Sequence, residues 1–220
     1  KTTKRLQKTW HVANLLKKAA EEDLDSLILL LQGRVFPIWD ASKVGVASKL
    51  VVRAINLATG GSPAKIEEAW KRTGDLGRVA EQFVQKKSQC TLTRQDLTTK
   101  KVMANLQRLA KLAGSGSVDQ KIKLVAALLG SATASEAKYL VRTLLEELRV
   151  GIATGTLRDA IAWAYLTEPN FDPATAAITP PDREAYSAAI KAVEEGYQRS
   201  NDFAVVARAA KSGRKALSHI

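Results

Sequence analysis

Residues 133–151 read TASEAKYLVRTLLEELRVG, and this stretch decides the fold class. Its first four residues form a capping box, in which Thr133 caps the first turn and Glu136 reaches back to it. The residues that follow have helical period, and Arg149-Val150-Gly151 ends the helix. We therefore predict an α-helix here and look for the same signals elsewhere.

Helix signals recur along nearly the whole chain. Residues 4–20 form a predicted amphipathic helix, because apolar side chains return at steps of three and four. Further helix starts are predicted at Asp23, Ser62-Pro63, Asp75, Thr98, the Ser117–Gln120 capping box, Thr156, Asp172-Pro173, Thr179-Pro180 and Asp202. The predicted fold is all-α, with about 10–12 helices in one compact domain, two pseudo-two-fold-related halves and no convincing strand.

Composition supports this prediction and excludes several classes of protein. The chain has 220 residues, of which 45% are apolar, 25% charged and 5% aromatic, which suits helices better than a β-sandwich. Cys90 is the single cysteine, so a disulfide scaffold is excluded. The apolar stretch from Leu27 to Leu31 is too short to span a bilayer, and no signal peptide is visible. We expect no membrane partner and an intracellular location.

Two segments recur within the chain in the same order. Residues 5–19 match residues 118–132 with seven identities in fifteen, and residues 45–58 match residues 151–164 with five in fourteen. Chance similarity between Ala- and Leu-rich helices is the alternative for either match alone. Two matches at nearly the same offset favour duplication. We predict one domain over 1–220, with repeat halves of about 1–88 and 114–200 joined by a polar loop and a helix.

The net charge of +12 raises the affinity of the chain for nucleic acid or anionic lipid, and a merely basic protein with no such partner is the alternative. The first twenty residues carry six basic groups and no acidic group. Residues 83–111 carry seven basic groups against Asp96 alone. Segregated charge of this kind is more typical of a nucleic-acid footprint than of a mixed solubility coat.

Catalytic motifs are nearly absent from the sequence. His11 and His219 lie at opposite ends of the chain, and one cysteine makes a Cys/His zinc site implausible. The sequence has no phosphate-binding Gly-x-x-x-x-Gly-Lys-Ser/Thr loop. It also has no Asp-Gly dipeptide, which excludes a Lys-x-Asp-Gly nucleotidyl-transfer motif. We predict no catalytic residue and no metal site.

Helix starts with small and basic residues are the candidate binding sites. The free N–H groups and the positive dipole end of a helix attract phosphate, and small residues allow it to approach. Ordinary capping, which every helix needs, is the alternative at any single start. The candidate DNA-binding residues at such starts are Thr2, Thr3, Arg5, Lys8, Gly45, Lys49, Gly114, Ser115, Gly116, Ser117, Lys121, Lys123, Gly151, Thr154, Gly155 and Thr156. Such contacts position a protein on DNA without reading its sequence.

Residues 137–152, AKYLVRTLLEELRVGI, with TLRDA at 156–160, resemble the N-terminal DNA-binding domain of ATP-dependent DNA ligases of the archaeal and eukaryotic replicative type. Further segments agree in order over essentially the whole chain: Thr3–Leu6, Leu57–Gly60, residues 73–81 (TGDLGRVAE), Gly114–Ser117 with Lys121-Ile122, and residues 202–208 (DFAVVAR). Some members of the family have a Gly-Arg or Gly-Lys pair where this chain has Glu146-Glu147. That departure argues against a DNA contact at Glu147.

The resemblance implies an all-helical domain that binds nicked double-stranded DNA across the minor groove. Backbone contacts carried over from the family fall on the loop at Thr3 and Arg5, the Gly114–Ser117 turn and the Arg149–Thr156 turn. The implied partners are nicked DNA, the adenylation and oligonucleotide-binding domains of the same ligase, and a sliding clamp in the full-length protein. The implied location is the cytoplasm of an archaeon, or the nucleus of a eukaryote.

The resemblance also limits what this chain does by itself. The nucleotidyl-transfer lysine of the family belongs to a following catalytic domain, so we expect this fragment to be inactive alone. ATP and Mg²⁺ are expected only for that catalytic part, and no cofactor is expected here. Two alternatives stay open: a helical protein-interaction module, whose charge serves an acidic partner, and a helix-hairpin-helix-like DNA-repair domain.

Overall fold

The computed structural model describes residues 4–86, 96–148, 152–175 and 177–220. These residues contain twelve α-helices, which confirms the all-α prediction. The helices are α1 (Arg5–Lys18), α2 (Leu24–Leu31), α3 (Ser48–Thr59), α4 (Pro63–Thr73), α5 (Leu76–Gln85), α6 (Thr99–Lys111), α7 (Ser117–Ser131), α8 (Ala134–Leu144), α9 (Thr154–Tyr165), α10 (Arg183–Ser200), α11 (Phe203–Lys211) and α12 (Arg214–Leu217). A short 3₁₀ turn, Glu21–Asp23, precedes α2.

Side-chain caps begin six of these helices. The caps are Ser62, Asp75, Thr98, Thr133, Asp182 and Asp202, each accepting a hydrogen bond from an amide in the first turn. The capping box of Thr133 and Glu136 is confirmed. The capping box predicted at Ser117 is wrong, because Ser117 is already the first helical residue and Gly116 takes the N-cap position at φ 76°. Asp23 precedes α2 as predicted, but its side chain makes no capping hydrogen bond.

A short hairpin replaces the helix predicted at Asp172-Pro173. The strands β1 (Asn170–Asp172) and β2 (Ala177–Thr179) pair antiparallel, with Phe171 opposite Ile178. The carboxylate of Asp172 accepts the amide of Ala174 at 2.9 Å, so it stabilises a turn instead of a helix start. The next helix begins at Arg183 and not at Thr179. Residues before proline disfavour helical backbone, and two prolines follow Thr179.

The chain forms two compact units by its internal contacts. Unit 1 consists of Lys1–Gln32 and Val150–Ile220. Its main helix pair is α1 with α9, and α10, α11 and α2 complete the packing. The hydroxyl of Tyr165 near the end of α9 donates to the carbonyl of Leu16 near the end of α1, at 2.9 Å. The core includes Leu16, Leu24, Ile28, Leu157, Ile161, Trp163, Val193, Val206 and Leu217.

Unit 2 is the continuous segment Gly33–Arg149. Its main helix pairs are α5 with α8 and α3 with α7. Its core includes Val51, Ile55, Ile66, Val79, Leu106, Leu109, Val125, Leu129 and Val141, all of them at most slightly exposed. Full burial of a side chain of this size contributes about 1.5–3 kcal/mol, so aliphatic packing is a large favourable contribution to the folding of the unit.

The sequence repeats correspond to whole helices. The first match aligns α1 with α7, and the second aligns α3 with α9. In unit 1, α1 packs against α9, and in unit 2, α7 packs against α3. Each unit therefore contains one helix from each matched pair, and each half of the sequence contributes to both units. The pseudo-two-fold relation stays a prediction.

Candidate nucleic-acid interface

In unit 1, α1 and α9 begin side by side. Nη2 of Arg5 lies 2.7 Å from Oδ2 of Asp159, which joins the first turn of α1 to the second turn of α9. A Cβ added to Gly155 would lie 3.6 Å from the same guanidinium nitrogen. Since Tyr165 and Leu16 meet at the other end of the pair, the two helices run parallel. Their positive dipole ends therefore add at one place.

The carboxylate of Asp159 binds two arginines at this end of unit 1, Arg5 and Arg158. Arg158 donates to Oδ1 of Asp159 from Nε at 2.8 Å, and it also pairs with Glu194 of α10. Burial opposes the charged form of Arg158, but the two carboxylates outweigh it and raise the pKa of Arg158. Burial, together with the charge of Asp159, raises the pKa of Tyr186.

In unit 2, α3 and α7 begin side by side as well. Nζ of Lys121 donates to the carbonyl oxygen of Gly45 at 3.1 Å, close to the start of both helices. Gly45 has φ 62°, a left-handed conformation that favours glycine. Nη2 of Arg53 lies 3.1 Å from Oδ1 of Asp119, and both of these side chains are mostly exposed. A basic group therefore lies at the joined helix starts of each unit.

These four helices also share the lack of a side-chain cap. Their N-cap residues are Lys4, Ala47, Gly116 and Ala153, none of which makes a capping side-chain hydrogen bond in the described part of the chain. Among the described helices of eight or more residues, α2 is also uncapped, but a 3₁₀ turn leads directly into it. Where no side chain caps the start of a helix, an anion can take the place of the cap and accept hydrogen bonds from first-turn amides.

The predicted site residues divide between the two units. Unit 1 contains Arg5, Lys8, Thr154, Gly155 and Thr156, and unit 2 contains Gly45, Lys49, Gly114, Ser115, Gly116, Ser117, Lys121 and Lys123. Thr2, Thr3, Arg149 and Gly151 lie outside the described residues, as does Cys90.

Exposure separates these candidates. Arg5, Lys49, Lys123 and the turn 114–116 are exposed, whereas Lys8, Ser117 and Lys121 are half-buried. Thr156 is only 5% exposed. Its side chain therefore lies in the interior of unit 1, and its role in DNA binding stays a prediction.

Residue-by-residue reasoning missed Asp159, which touches a predicted basic residue directly. Its partner Arg5 is 154 positions away in the sequence, and no local pattern indicates a contact of that range. One signal was available, since Asp159 precedes the apolar run Ala160–Ala164 and so lies at the edge of the buried stripe of α9. A carboxylate in such a place needs a cationic partner.

Other classes of site find no support in the described ranges. Within residues 4–86, 96–148, 152–175 and 177–220, no group of three His, Cys, Asp or Glu side chains could hold a metal ion. None of the helices described has the length and apolar character that crossing a membrane requires.

Comparison with known proteins links the chain to one family. The family model described as "DNA ligase N terminus" matches residues 1–162. A DNA ligase of Methanobrevibacter smithii is 43% identical over 164 residues, which are 74% of this chain and 30% of the relative. A DNA ligase of Thermococcus fumicolans is 38% identical over 221 residues, covering 100% of this chain and 36% of the relative. A DNA ligase of Archaeoglobus fulgidus is 36% identical over 212 residues, covering 96% of this chain and 34% of the relative. The chain thus spans about a third of the length of these relatives.

Proposed function

The chain belongs to the DNA ligase N-terminal family, and on that premise we propose that it binds nicked double-stranded DNA without reading its base sequence. It contacts the phosphate backbone and the minor groove. The observation that carries this proposal is the pair of uncapped helix starts in each unit, with Arg5 at one pair and Lys121 at the other. Cations and free amides are the groups that proteins use to hold phosphates.

The whole protein, in this proposal, is an ATP-dependent DNA ligase that joins DNA in replication, repair and recombination. The adenylation and oligonucleotide-binding domains supply the catalytic lysine, ATP and Mg²⁺, while this chain holds the nicked duplex. A sliding clamp is a further partner of the full-length protein. The protein works inside the cell, in the cytoplasm of an archaeon.

Backbone recognition has a measurable signature in its dependence on salt. Each phosphate that a protein neutralises releases condensed counterions, so log K falls linearly with log salt, by about 0.9 for each contact on a duplex. We expect a clear negative slope for this chain on a nicked duplex labelled with a fluorophore, and equal affinity for duplexes of unrelated sequence. Fluorescence anisotropy between about 50 and 200 mM salt measures both quantities.

Two variants and a control localise the interaction. Arg5→Ala and Lys121→Ala each weaken binding to all duplexes alike, with a salt slope smaller by about 1. Lys71→Ala, at the exposed end of α4, removes the same charge away from the helix starts and leaves the affinity nearly unchanged. A slope near zero, or binding to heparin as tight as to the duplex, would contradict the proposal and favour a module for acidic partners.

A further inference from the structure

We propose that Asp159 is a positioning residue, which holds the guanidinium of Arg5 over the start of α9 so that its remaining donors meet a phosphate. The inference rests on the proposed function, since it concerns how the same surface binds DNA. It assigns a role in DNA binding to a carboxylate, the side-chain type that phosphate repels.

The first step is the unequal exposure of the two partners. The side chain of Arg5 is 62% exposed, whereas that of Asp159 is 5% exposed. Asp159 accepts a hydrogen bond from one guanidinium nitrogen of Arg5, Nη2, at 2.7 Å. A guanidinium has five N–H donors in a planar fork, so most of them face solvent and stay available to a second anion.

The second step is the rigidity of the acceptor. Oδ1 of Asp159 accepts from Arg158 at 2.8 Å, and Arg158 is held in turn by Glu194. Asp159 is thus held by Arg158 of α9, which Glu194 of α10 holds in turn, and Arg5 of α1 is the most exposed member of the network.

The third step is the entropy of a long side chain. A free surface arginine loses rotamer freedom when it binds a phosphate, which costs about 0.5–1.5 kcal/mol. An arginine that is already held in place has lost part of that freedom during folding. Anchoring therefore strengthens DNA binding, although the anchor itself carries a negative charge.

The exposed ion pair of unit 2 provides a matched control. Arg53 and Asp119 are 59% and 69% exposed, and they lie 3.1 Å apart. No buried network holds the carboxylate of Asp119 in the described residues, so the pair is of the kind that contributes little. Removal of the negative charge of Asp119 therefore changes DNA binding only by lowering the repulsion between the protein and phosphate.

Asp159→Asn separates positioning from simple electrostatics by the sign of the effect. The substitution makes the protein more positive by one charge, so electrostatics alone predicts tighter binding to DNA. Positioning predicts weaker binding, by about three- to tenfold at fixed salt. Asp119→Asn, with the same change in charge, leaves the affinity unchanged or slightly tighter.

A double-mutant cycle on the nicked duplex completes the test. Once Arg5 is replaced by Ala, Asp159→Asn has nothing to position, and it no longer weakens binding. Arg158→Lys keeps the positive charge but removes the Nε donor to Oδ1 of Asp159, so it gives a smaller loss of affinity with the same dependence on Arg5. It serves in place of Asp159→Asn if circular dichroism shows that the latter does not fold.

The outcomes distinguish the inference from the function on which it rests. If the wild-type chain binds DNA and Asp159→Asn binds as tightly or more tightly, Asp159 does not position Arg5, while the proposed function stands. An equal loss in the Arg5→Ala background points to a folding defect and also overturns the inference. If the wild-type chain shows no salt-dependent binding to the duplex, both proposals fall.

Discussion

Arg142 and Asp75 form an ion pair inside unit 2, with Nη2 of the arginine 2.5 Å from Oδ2 of the aspartate. Their side chains are only 10% and 5% exposed. The same carboxylate accepts the amides of Gly77 and Arg78, so it also caps α5. One aspartate therefore begins α5 and neutralises a buried cation of α8.

We expect Asp75→Ala to lower the free energy of unfolding by about 3–5 kcal/mol, because it leaves the charge of Arg142 buried without its partner. The exposed cap Ser62 is the control, since Ser62→Ala removes a cap alone and costs about 1 kcal/mol. Urea denaturation followed by circular dichroism measures both variants. Equal losses would contradict a structural role for the ion pair.

The same carboxylate makes stability depend on pH. Burial opposes the charged form of Asp75 and by itself would raise its pKa. The pKa of Asp75 is nevertheless lowered, because the carboxylate accepts hydrogen bonds from Arg142 and from the amides of Arg78 and Gly77 and is attracted by the charge of Arg142. The pKa of this carboxyl group is therefore lower in the folded state than in the unfolded state, where it is about 3.9. The charged carboxylate stabilises the fold above the unfolded pKa, and this stabilisation is lost as the pH falls through the folded pKa. We expect the stability difference between wild type and Asp75→Asn to be full at pH 7 and to shrink below about pH 4. A constant difference over that range would argue against the linkage.

Gly77 allows α5 and α8 to approach closely. A Cβ at this position would lie 2.7 Å from both the carbonyl oxygen of Lys138 and Cγ of Arg142. We expect Gly77→Ala to destabilise unit 2 by about 1–3 kcal/mol, the usual cost of overpacking. Gly155→Ala is the matched control, because Gly155 is also the second residue of its helix and its nearest neighbour would be 3.6 Å away. Thermal denaturation that gives equal shifts for the two variants would contradict this account.

Local signals in the sequence predicted the helices well, and they failed where distant residues decide the structure. Ser62, Asp75, Thr98, Thr133 and Asp202 cap helices as predicted, because a cap needs only the residues of one turn. The hairpin at Asp172 was missed, since the hydrogen bonds of its own turn compete with a helix start.

The candidate site was predictable only in part for the same reason. Composition and helix starts indicate Arg5 and Lys121 as basic groups near the starts of helices. Nothing in the sequence brings Arg5 to Asp159 or Lys121 to Gly45, because those contacts depend on how α1 packs on α9 and α7 on α3. The sequence repeats match these helices in pairs, but they do not specify which helix packs on which.

Glu146 occupies a backbone conformation that suits glycine. Its φ is 57°, and the chain turns there at the end of α8, where the amide of Glu147 donates to the carbonyl of Arg142 at 2.7 Å. A side chain in the left-handed region costs about 1–2 kcal/mol. Glycine removes this backbone strain, but it also increases the entropy of the unfolded chain, which offsets part of the gain. We therefore expect Glu146→Gly to raise the free energy of unfolding by about 0.5–1 kcal/mol. Glu147 has no positive φ, so Glu147→Gly should not stabilise the protein, and a similar gain from both substitutions in urea denaturation would contradict the explanation.

Lys121 should contribute more to DNA binding than Lys123, although the two lie on the same helix and carry the same charge. Nζ of Lys121 donates to the carbonyl of Gly45, which holds the ammonium group beside the uncapped starts of α3 and α7. Residues two apart on a helix do not share a face, so Lys123 points elsewhere. We expect Lys121→Met to weaken binding to a nicked duplex more than Lys123→Met does at the same salt concentration. Anisotropy titrations of the two variants measure this difference directly. Equal losses would mean that the charge of α7 acts on DNA only at long range, and that the joined helix starts of unit 2 do not contact phosphate.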